Sequence, residues 1–297
     1  MGILEGRGAV VTGGGRGIGR GHCLHLAEQG AGVIVNDVDA AAAQEVVDEI
    51  VKAGGKAEPD TSDISSREGA AALVAHCVDA FGNIQCAVNN AGNVRDKSFL
   101  KMSDDDFMSV VKVHQFGTFA VSQEGARRMR DQGSGGCIVN TVSAAHFGNF
   151  GQTNYAGSKG AIASMTYTWA LELARYGIRV NAISPTGTTR MSDTYQGPDG
   201  KDVKLPFIDP TRNGAFVAYL CSDHGKWISG QIFGTGGERV VMLKQPTYGT
   251  GIYKDGGWSV DDLVAGFEQM MKKEMEPVGL MKTPYPFYDG VEPPAAK

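Results

Sequence analysis

The feature that most constrains this chain is a glycine-rich turn near its start, set between a short apolar stretch and a helical pattern. Residues 7–12 (RGAVVT) predict a buried strand, and the pattern after the turn predicts a helix to Gln29, ended by Gly30. Glycines in such a turn let the backbone approach a ligand, and the helix N-terminus offers N–H groups to it. Although the spacing is TGxxxGxG rather than GxGxxG, these elements predict the phosphate cradle of a dinucleotide fold. We expect cofactor contacts at Gly13, Arg16, Gly17, Ile18 and Gly19.

A second apolar run, residues 32–36, ends on an acidic residue, Asp37. An acid at the end of the second strand, about twenty residues after the glycines, can accept both ribose hydroxyls of adenosine, and it repels a 2′-phosphate. No Lys or Arg follows Asp37 before Lys52. The pattern favours NAD over NADP, although a solvated acid in a turn would give the same sequence.

Strand-like runs alternate with helical patterns through about residue 185. This alternation predicts an α/β fold, a doubly wound parallel sheet of the Rossmann type. We place the domain in residues 1–237, with a polar, mobile flap in 187–210 and a C-terminal extension in 238–297 that packs on the domain or on a partner subunit. In the extension, Ser259 is placed to cap a helix with an inward apolar stripe. That stripe consists of Val260, Leu263, Val264, Phe267, Met270 and Met271.

The composition argues against several classes of protein. A net charge of −5 provides no basic field to attract nucleic acid. The sequence contains no run of 18 apolar residues, so we expect no membrane span. Charges interrupt the N-terminal apolar run, which argues against a signal peptide, and we therefore expect a cytoplasmic protein. The five cysteines lack CxxC spacing and predict reduced, buried thiols. The six histidines lack metal-ligand spacing, so no metal is expected.

Tyr155 and Lys159 are four residues apart, so on a helix they share one face, and only small residues separate them. Ser143 lies upstream, at the end of a strand-like run. A phenol, an ammonium and a hydroxyl together could transfer protons if the pKa of the Tyr, normally about 10, is lowered. The Lys and a cationic nicotinamide could lower it by roughly two or three units in a poorly solvated cleft. Without this context, a Tyr and a Lys at this spacing are usually only a helix face.

Together these motifs resemble the short-chain dehydrogenase/reductase family over residues 5–237. The motifs are Thr12-Gly-x3-Gly-x-Gly19, Asn89-Asn-Ala-Gly92, Ser143 and Tyr155-x3-Lys159. The resemblance implies that Tyr155 exchanges a proton with the substrate oxygen and that Ser143 hydrogen-bonds this oxygen. It implies that Lys159 binds the nicotinamide ribose and lowers the pKa of Tyr155. It also implies cofactor contacts at Asp63, Ile64, Asn90, Ala91, Gly92, Tyr155, Lys159, Pro185 and Thr188.

Three features depart from the family pattern. His114 stands where the family usually has an Asn that holds a water in a proton relay to the Lys. A neutral imidazole has the donor and the acceptor for that role, but His114 can also be a core residue held by a backbone carbonyl. The interval from Ser143 to Tyr155 is twelve residues, one fewer than is commonest, which leaves open whether Ser143 or a neighbour is the partner. The usual Pro-Gly is Pro185-Thr186, and a later Thr is Arg190.

The His114 segment and the string around Gly148–Tyr155 resemble one subgroup, the (3R)-hydroxyacyl-CoA dehydrogenase domain of peroxisomal multifunctional enzyme type two. That resemblance implies NAD-dependent oxidation of a 3-hydroxyacyl-CoA by a homodimer or homotetramer. A hydroxysteroid or another hydrophobic alcohol is the alternative substrate. A non-catalytic dinucleotide-binding protein is the remote alternative, which the Tyr–Lys pair disfavours. Loop position suggests four cations for a CoA group: Arg95, Lys97, Arg190 and Lys201.

Overall fold

The computed structural model describes residues 2–189, 206–280, 282 and 285–287. In the described chain the strands are β1 (Gly8–Thr12), β2 (Gly32–Asn36), β3 (Lys56–Asp60), β4 (Cys86–Asn89), β5 (Gly136–Thr141), β6 (Ile178–Pro185), β7 (Ile232–Gly236) and β8 (Arg239–Leu243). The α-helices are α1 (Gly17–Glu28), α2 (Ala40–Lys52), α3 (Arg67–Phe81), α4 (Asp104–Val111), α5 (Gly117–Gln132), α6 (Thr153–Leu173), α7 (Gly214–Cys221) and α8 (Val260–Met271).

The strands form one sheet in the order β3-β2-β1-β4-β5-β6-β7-β8. All pairings from β3 to β7 are parallel, which confirms the predicted doubly wound sheet. The pattern did not predict β8, which turns back and pairs antiparallel with β7. Because β1 lies between β2 and β4, the chain reverses its direction of winding there. The crevice at the carboxyl ends of β1 and β4 is where open α/β sheets bind ligands.

Helices cover both faces of the sheet, and successive strand residues enter different cores. Val10 packs with residues of α3 and α5, whereas Val11 packs with residues of α1, α2 and α7. Both side chains are fully buried. Burial on both faces explains why the strands are continuous apolar runs rather than alternating ones. Burying one such side chain contributes about 1.5–3 kcal/mol.

The helical segment between Ser103 and Gln132 is divided into three parts. Ser103 and Asp106 cap its start, each side chain accepting a hydrogen bond from the other residue's backbone N–H. A π-helical turn, Lys112–Phe116, then separates α4 from α5. A π turn widens the helix locally, and such turns are frequent at functional sites. This turn carries His114.

The C-terminal extension begins with β8, continues through residues without regular structure, and then forms α8. Ser259 caps α8 together with Asp262, as the sequence predicts. The apolar stripe does not face inward, however: Val260 is 76% exposed and Val264 is 82% exposed. The expectation that the stripe packs on the domain or on a partner subunit therefore stays a prediction, with the partner subunit as the alternative that the exposure leaves open. Most of the expected flap lies outside the described residues.

No helix in the described chain is long and apolar enough to cross a membrane.

Candidate active site

Side chains from two strands fix the glycine turn at the crevice. The backbone N–H groups of Asn90 and Ala91 both donate to the Thr12 hydroxyl, at 3.0 Å each. The Asn90 amide donates to the carbonyls of Thr12 (3.1 Å) and Gly13 (3.0 Å). The end of β1 is thus tied to the end of β4. This contact gives Asn90 and Ala91 a structural task beside the predicted cofactor task.

The turn itself has room only for glycine at its critical positions. Gly13 and Gly17 have φ of +61° and +53°, which side chains other than glycine rarely adopt. A Cβ on Gly19 would lie 2.0 Å from the carbonyl oxygen of Gly13. Helix α1 has no side-chain cap and no acid in its first turn, so its N-terminal N–H groups and its positive dipole face the crevice. Ile18 lies in this first turn. The cradle therefore fits a pyrophosphate.

Asp37 lies at the end of β2, beside the cradle. One carboxylate oxygen accepts a hydrogen bond from the Gly15 N–H (3.1 Å), and the other accepts one from the Asp39 N–H (3.0 Å). Arg16, at the start of α1, forms an ion pair with Asp39 at 2.8 Å. Two backbone donors thus hold the Asp37 carboxylate in place, where its remaining lone pairs can accept ribose hydroxyls.

The other predicted cofactor residues lie along the same edge of the sheet. Asp63 precedes α3, and the Ile64 side chain is 6% exposed and fills the space beside Gly117. Pro185 ends β6. The Thr188 hydroxyl accepts from the Ile208 N–H at 2.9 Å, which joins the two sides of the segment predicted as a flap.

Ser143, Tyr155 and Lys159 meet at the centre of the site. Ser143 follows β5, while the other two lie in the first turns of α6. The Ser143 hydroxyl lies close enough to Tyr155 to lower the pKa of its phenol, so the short interval brings Ser143 itself to the Tyr. The Lys159 ammonium lies 5.6 Å from the centroid of the Tyr155 ring and donates to the Thr141 carbonyl at 2.7 Å. Sequence reasoning missed the Thr141 carbonyl, because a backbone acceptor leaves no residue-type signal.

The protonation of this pair differs from the sequence expectation. Burial raises the pKa of Tyr155 above its usual value, and the Ser143 hydrogen bond only partly offsets this effect. Burial lowers the pKa of Lys159 to about 7. The protein alone therefore favours a protonated Tyr155. The expected lowering of the Tyr pKa requires the positive charge that a bound nicotinamide would add.

His114 combines features of both interpretations that the sequence left open. Its Nε2 lies 2.8 Å from the Asn93 carbonyl and 2.9 Å from the Asn93 N–H, so a backbone contact does hold the ring. The ring packs edge-on against Tyr155, with the centroids 5.2 Å apart. It also fills the space beside Gly92, where a Cβ would lie 2.3 Å from the ring. Its buried Nδ1 has no hydrogen-bond partner among the described residues. Burial and the nearby Lys159 lower the pKa of His114 to about 3, so the ring is neutral.

Two side chains of the site, those of Thr186 and Tyr285, were not predicted from the sequence to lie there. Thr186, directly after Pro185, is buried, and its hydroxyl lies 2.7 Å from the Tyr285 hydroxyl. Tyr285 belongs to the C-terminal extension. No local pattern could have indicated this contact, since the two residues are 99 positions apart. Of the four cations suggested for a CoA group, Arg95 and Lys97 are exposed near α6, whereas Arg190 and Lys201 lie outside the described residues.

Comparison with known proteins agrees with this geometry. The family model of the short chain dehydrogenases matches residues 7–197. The chain belongs to the short-chain dehydrogenase/reductase family, as the sequence motifs indicated.

Among its relatives, hydroxyacyl-CoA dehydrogenase ChsB1 of Mycobacterium tuberculosis is 36% identical over 278 residues, 88% of this chain and 87% of that protein. Peroxisomal multifunctional enzyme type 2 of Drosophila melanogaster is 38% identical over 75% of this chain but only 38% of its own length. A short chain dehydrogenase from Mycobacterium avium has a similar structure, with a TM-score of 0.83, 33% identity and coverage of 97% of this chain and 100% of that one. A 7α-hydroxysteroid dehydrogenase complexed with NADH matches 79% of this chain and 94% of its own, with a TM-score of 0.69 and 33% identity.

Proposed function

We propose that this enzyme interconverts a secondary alcohol and a ketone with NAD, and that the substrate is a 3-hydroxyacyl-CoA. The observation that carries the proposal is the convergence of three side chains, with Ser143 beside the Tyr155 phenol and Lys159 beside the Tyr155 ring. A nicotinamide dinucleotide, when bound, accepts or supplies the hydride. The protein contributes the cradle, the orientation of the substrate oxygen and the movement of its proton.

The oxygen chemistry belongs to two hydroxyls. In the oxidation, deprotonated Tyr155 takes the proton from the substrate alcohol while the Ser143 hydroxyl donates a hydrogen bond to the same oxygen. In the reduction, the phenol of Tyr155 returns the proton to the carbonyl oxygen. Because burial raises the pKa of Tyr155, oxidation is expected to accelerate as the pH rises, and reduction as it falls.

His114 has the geometry of a relay residue as well as of a core residue. One ring nitrogen is held by Asn93, so the orientation of the ring is fixed. The other, Nδ1, is buried with no protein partner among the described residues and can bond a water molecule. We propose that this water connects His114 toward Lys159. A neutral ring suits this role, because it can hold a water without adding a second positive charge beside the Lys.

The preference for NAD over NADP rests on Asp37. Its carboxylate is fixed by two backbone N–H groups, so it cannot easily turn away from the ribose. A 2′-phosphate there would be repelled by the carboxylate. Arg16, the nearby cation, is paired with Asp39. These contacts support NAD as the cofactor.

The substrate class is supported by two kinds of relative. The name of the tuberculosis protein describes a hydroxyacyl-CoA dehydrogenase, which favours a 3-hydroxyacyl-CoA here. The solved 7α-hydroxysteroid dehydrogenase, whose structure contains a bile-acid ligand, supports a hydroxysteroid as the second candidate. Both substrates combine a secondary alcohol with a large apolar body.

The near-ultraviolet absorbance of reduced nicotinamide tests this proposal. Purified protein with excess NAD would receive a medium-chain (3R)-3-hydroxyacyl-CoA, with the (3S) epimer, a hydroxysteroid and NADP in parallel. A rise confined to the (3R) thioester with NAD is the expected result. A rise with the steroid alone would retain the chemistry and replace the substrate. No rise with any alcohol, together with normal NAD binding, would leave a dinucleotide-binding protein without this activity.

We also propose that two or four copies assemble through α5 and α6. The groove between these helices is lined by Phe119, Trp169 and Leu173, and Leu171 beside it is 82% exposed. An exposed apolar face of this kind marks an interface. Sedimentation of the purified protein should show a dimer or tetramer, whereas a monomer at micromolar concentration would contradict the proposal.

A further inference from the structure

The C-terminal segment returns to the active site after leaving it. The N–H groups of Gly279 and Leu280 donate to the carbonyls of Phe147 (3.2 Å) and Gly148 (2.8 Å), in the loop that follows Ser143. Backbone bonds thus hold residues 279 and 280 against the catalytic loop. Residues 285–287, the next described part of the segment after Lys282, lie against β7.

Tyr285 and Phe287 anchor the second contact. The Tyr285 hydroxyl bonds the Thr186 hydroxyl at 2.7 Å, directly after Pro185. The Phe287 ring packs over β7, where a Cβ on Gly234 would come within 3.1 Å of it. Arg239 of β8 donates to the Pro286 carbonyl. Glycine in β7 therefore leaves the space that the aromatic segment occupies.

Between these two contacts lies a cavity of about 730 Å³, including its open mouth. One end is formed by Ala144 and Ser184, which adjoin Ser143 and Pro185 in the chain. The wall is largely apolar and comes from β8 and the C-terminal segment. Its members include Val241, Leu243, Leu280 and Phe287. A largely apolar cavity whose lining includes the chain neighbours of Ser143 and Pro185 fits a hydrocarbon group attached to the reacting carbon.

We propose that this cavity holds the apolar tail of the substrate and that Tyr285 determines chain-length specificity by anchoring the C-terminal segment on Thr186. The inference rests on the proposed alcohol oxidation, which it deepens by assigning the tail site. Tyr285 acts here through Thr186 and the cavity wall, so it is a positioning residue. Its hydroxyl needs no role in the proton transfer.

Two substitutions in β8 test the cavity. Val241→Phe fills it, whereas Val240→Phe adds the same ring at the next residue, which is 52% exposed and does not line the cavity. Rates would be measured with (3R)-3-hydroxybutanoyl-CoA and (3R)-3-hydroxydecanoyl-CoA. We expect Val241→Phe to lower kcat/KM at least about tenfold for the long substrate and less than about twofold for the short one. Val240→Phe should change neither. Equal effects of the two variants, or equal losses on both substrates, would overturn the proposal.

Tyr285→Phe tests the anchor without removing the ring. Losing one hydrogen bond predicts a rise in KM for the long substrate of roughly three- to tenfold, with kcat within about twofold. Thr186→Val should have the same effect, and the double variant should be no worse than either one. NAD affinity and the melting temperature should stay unchanged. A fall in kcat with unchanged KM would contradict the positioning role.

Binding separates this inference from the proposed function. Calorimetry would compare the binding of butanoyl-CoA with that of decanoyl-CoA. Both lack the 3-hydroxyl group, so neither can be oxidised by the proposed reaction. If wild-type protein shows no turnover but binds decanoyl-CoA more tightly, and Val241→Phe removes that advantage, the proposed function fails and the cavity assignment stands. If turnover occurs but chain length affects neither binding nor KM, only the cavity assignment fails.

Discussion

The cofactor half and the substrate half of this site are built from different kinds of contact. In the cofactor half, the glycine turn, Asp37 and Asn90 all lie within the first 92 residues, and backbone groups make most of the contacts. In the substrate half, the loop after Ser143 meets a segment from the far end of the chain, and Tyr285 bonds a residue 99 positions away. Short sequence motifs mark the first half, whereas no motif marks the contacts of the C-terminal segment in the second.

The largest expected effect separates chemistry from cofactor binding. Tyr155→Phe removes the hydroxyl that exchanges the substrate proton, so kcat should fall by about 10²–10⁴-fold while NAD affinity stays the same. Steady-state kinetics and calorimetry with NAD measure the two quantities. Tyr167→Phe, on the same helix, is the control and should keep its activity. Substantial turnover by Tyr155→Phe would remove Tyr155 from the chemistry.

Disrupting the glycine turn of the cofactor half should abolish both NAD binding and turnover. Gly19→Ala places a Cβ on the Gly13 carbonyl, so the turn must open, and we expect NAD affinity to fall at least about 100-fold. Gly125→Ala in α5 is the matched control, since its Cβ would meet only ordinary contacts at 3.7 Å or more. Normal NAD binding by the Gly19 variant would show that the cradle lies elsewhere.

Within the cofactor half, Asp37 is the residue expected to set the preference for NAD over NADP. Asp37→Ala removes the ribose acceptor and the charge that opposes a 2′-phosphate, so the ratio of kcat/KM for NAD to that for NADP should fall by roughly 10–100-fold. The exposed Asp48→Ala of α2 should leave the ratio unchanged. An unaltered ratio in the Asp37 variant would mean that this carboxylate is only a turn residue.

His114 lies where the two halves meet. If its Nδ1 holds a relay water, His114→Ala should lower turnover about tenfold or more and change NAD affinity less. His114→Asn, which restores the usual residue of the family, should recover part of the turnover. Equal turnover in wild type and His114→Ala would show that the ring is a core residue only.

The smallest effect concerns stability in the cofactor half. His22 in α1 is fully buried, and burial lowers its pKa to about 3, below the unfolded value of about 6.5. The unfolded chain therefore binds more protons between these values, so His22 makes stability fall as the pH drops from about 6.5 to about 3. Its contribution to the free energy of unfolding is at most about 5 kcal/mol. Denaturant titrations of His22→Leu should show a flatter acid dependence than the exposed control His224→Leu, and identical slopes would contradict this.

Sequence patterns predicted the parts of the fold that depend on neighbouring residues. The strand-and-helix alternation, the cap at Ser259 and the glycine turn were all foreseeable, because apolar periodicity, capping and φ preferences act locally. The edge strand β8 was not, since no local pattern shows that residues 239–243 turn back and pair with β7. The stripe of α8 is exposed, and its packing on the domain or on a partner subunit stays a prediction, because amphipathicity shows that a face needs a partner and not where that partner lies.

The same division applies to the site. Residue type and spacing predicted Tyr155 and Lys159 with Ser143 upstream, the family resemblance added His114, and the structure brings the four side chains together. The raised pKa of Tyr155 was not predicted, because it depends on how much protein surrounds the phenol. The role proposed for Tyr285 required coordinates. Thr186 stands where the family usually has a glycine, and this departure was the sequence feature nearest to the contact of Tyr285.

One experiment decides whether Tyr155 carries the oxidation while the cofactor half binds NAD independently of it. NAD binding by calorimetry and formation of reduced nicotinamide by absorbance would be followed in the same preparation, with (3R)-3-hydroxydecanoyl-CoA as the substrate and Tyr155→Phe alongside. We expect both proteins to bind NAD equally and only the wild type to produce the reduced cofactor. Equal rates in the two proteins, or NAD binding without turnover by wild type, would contradict it.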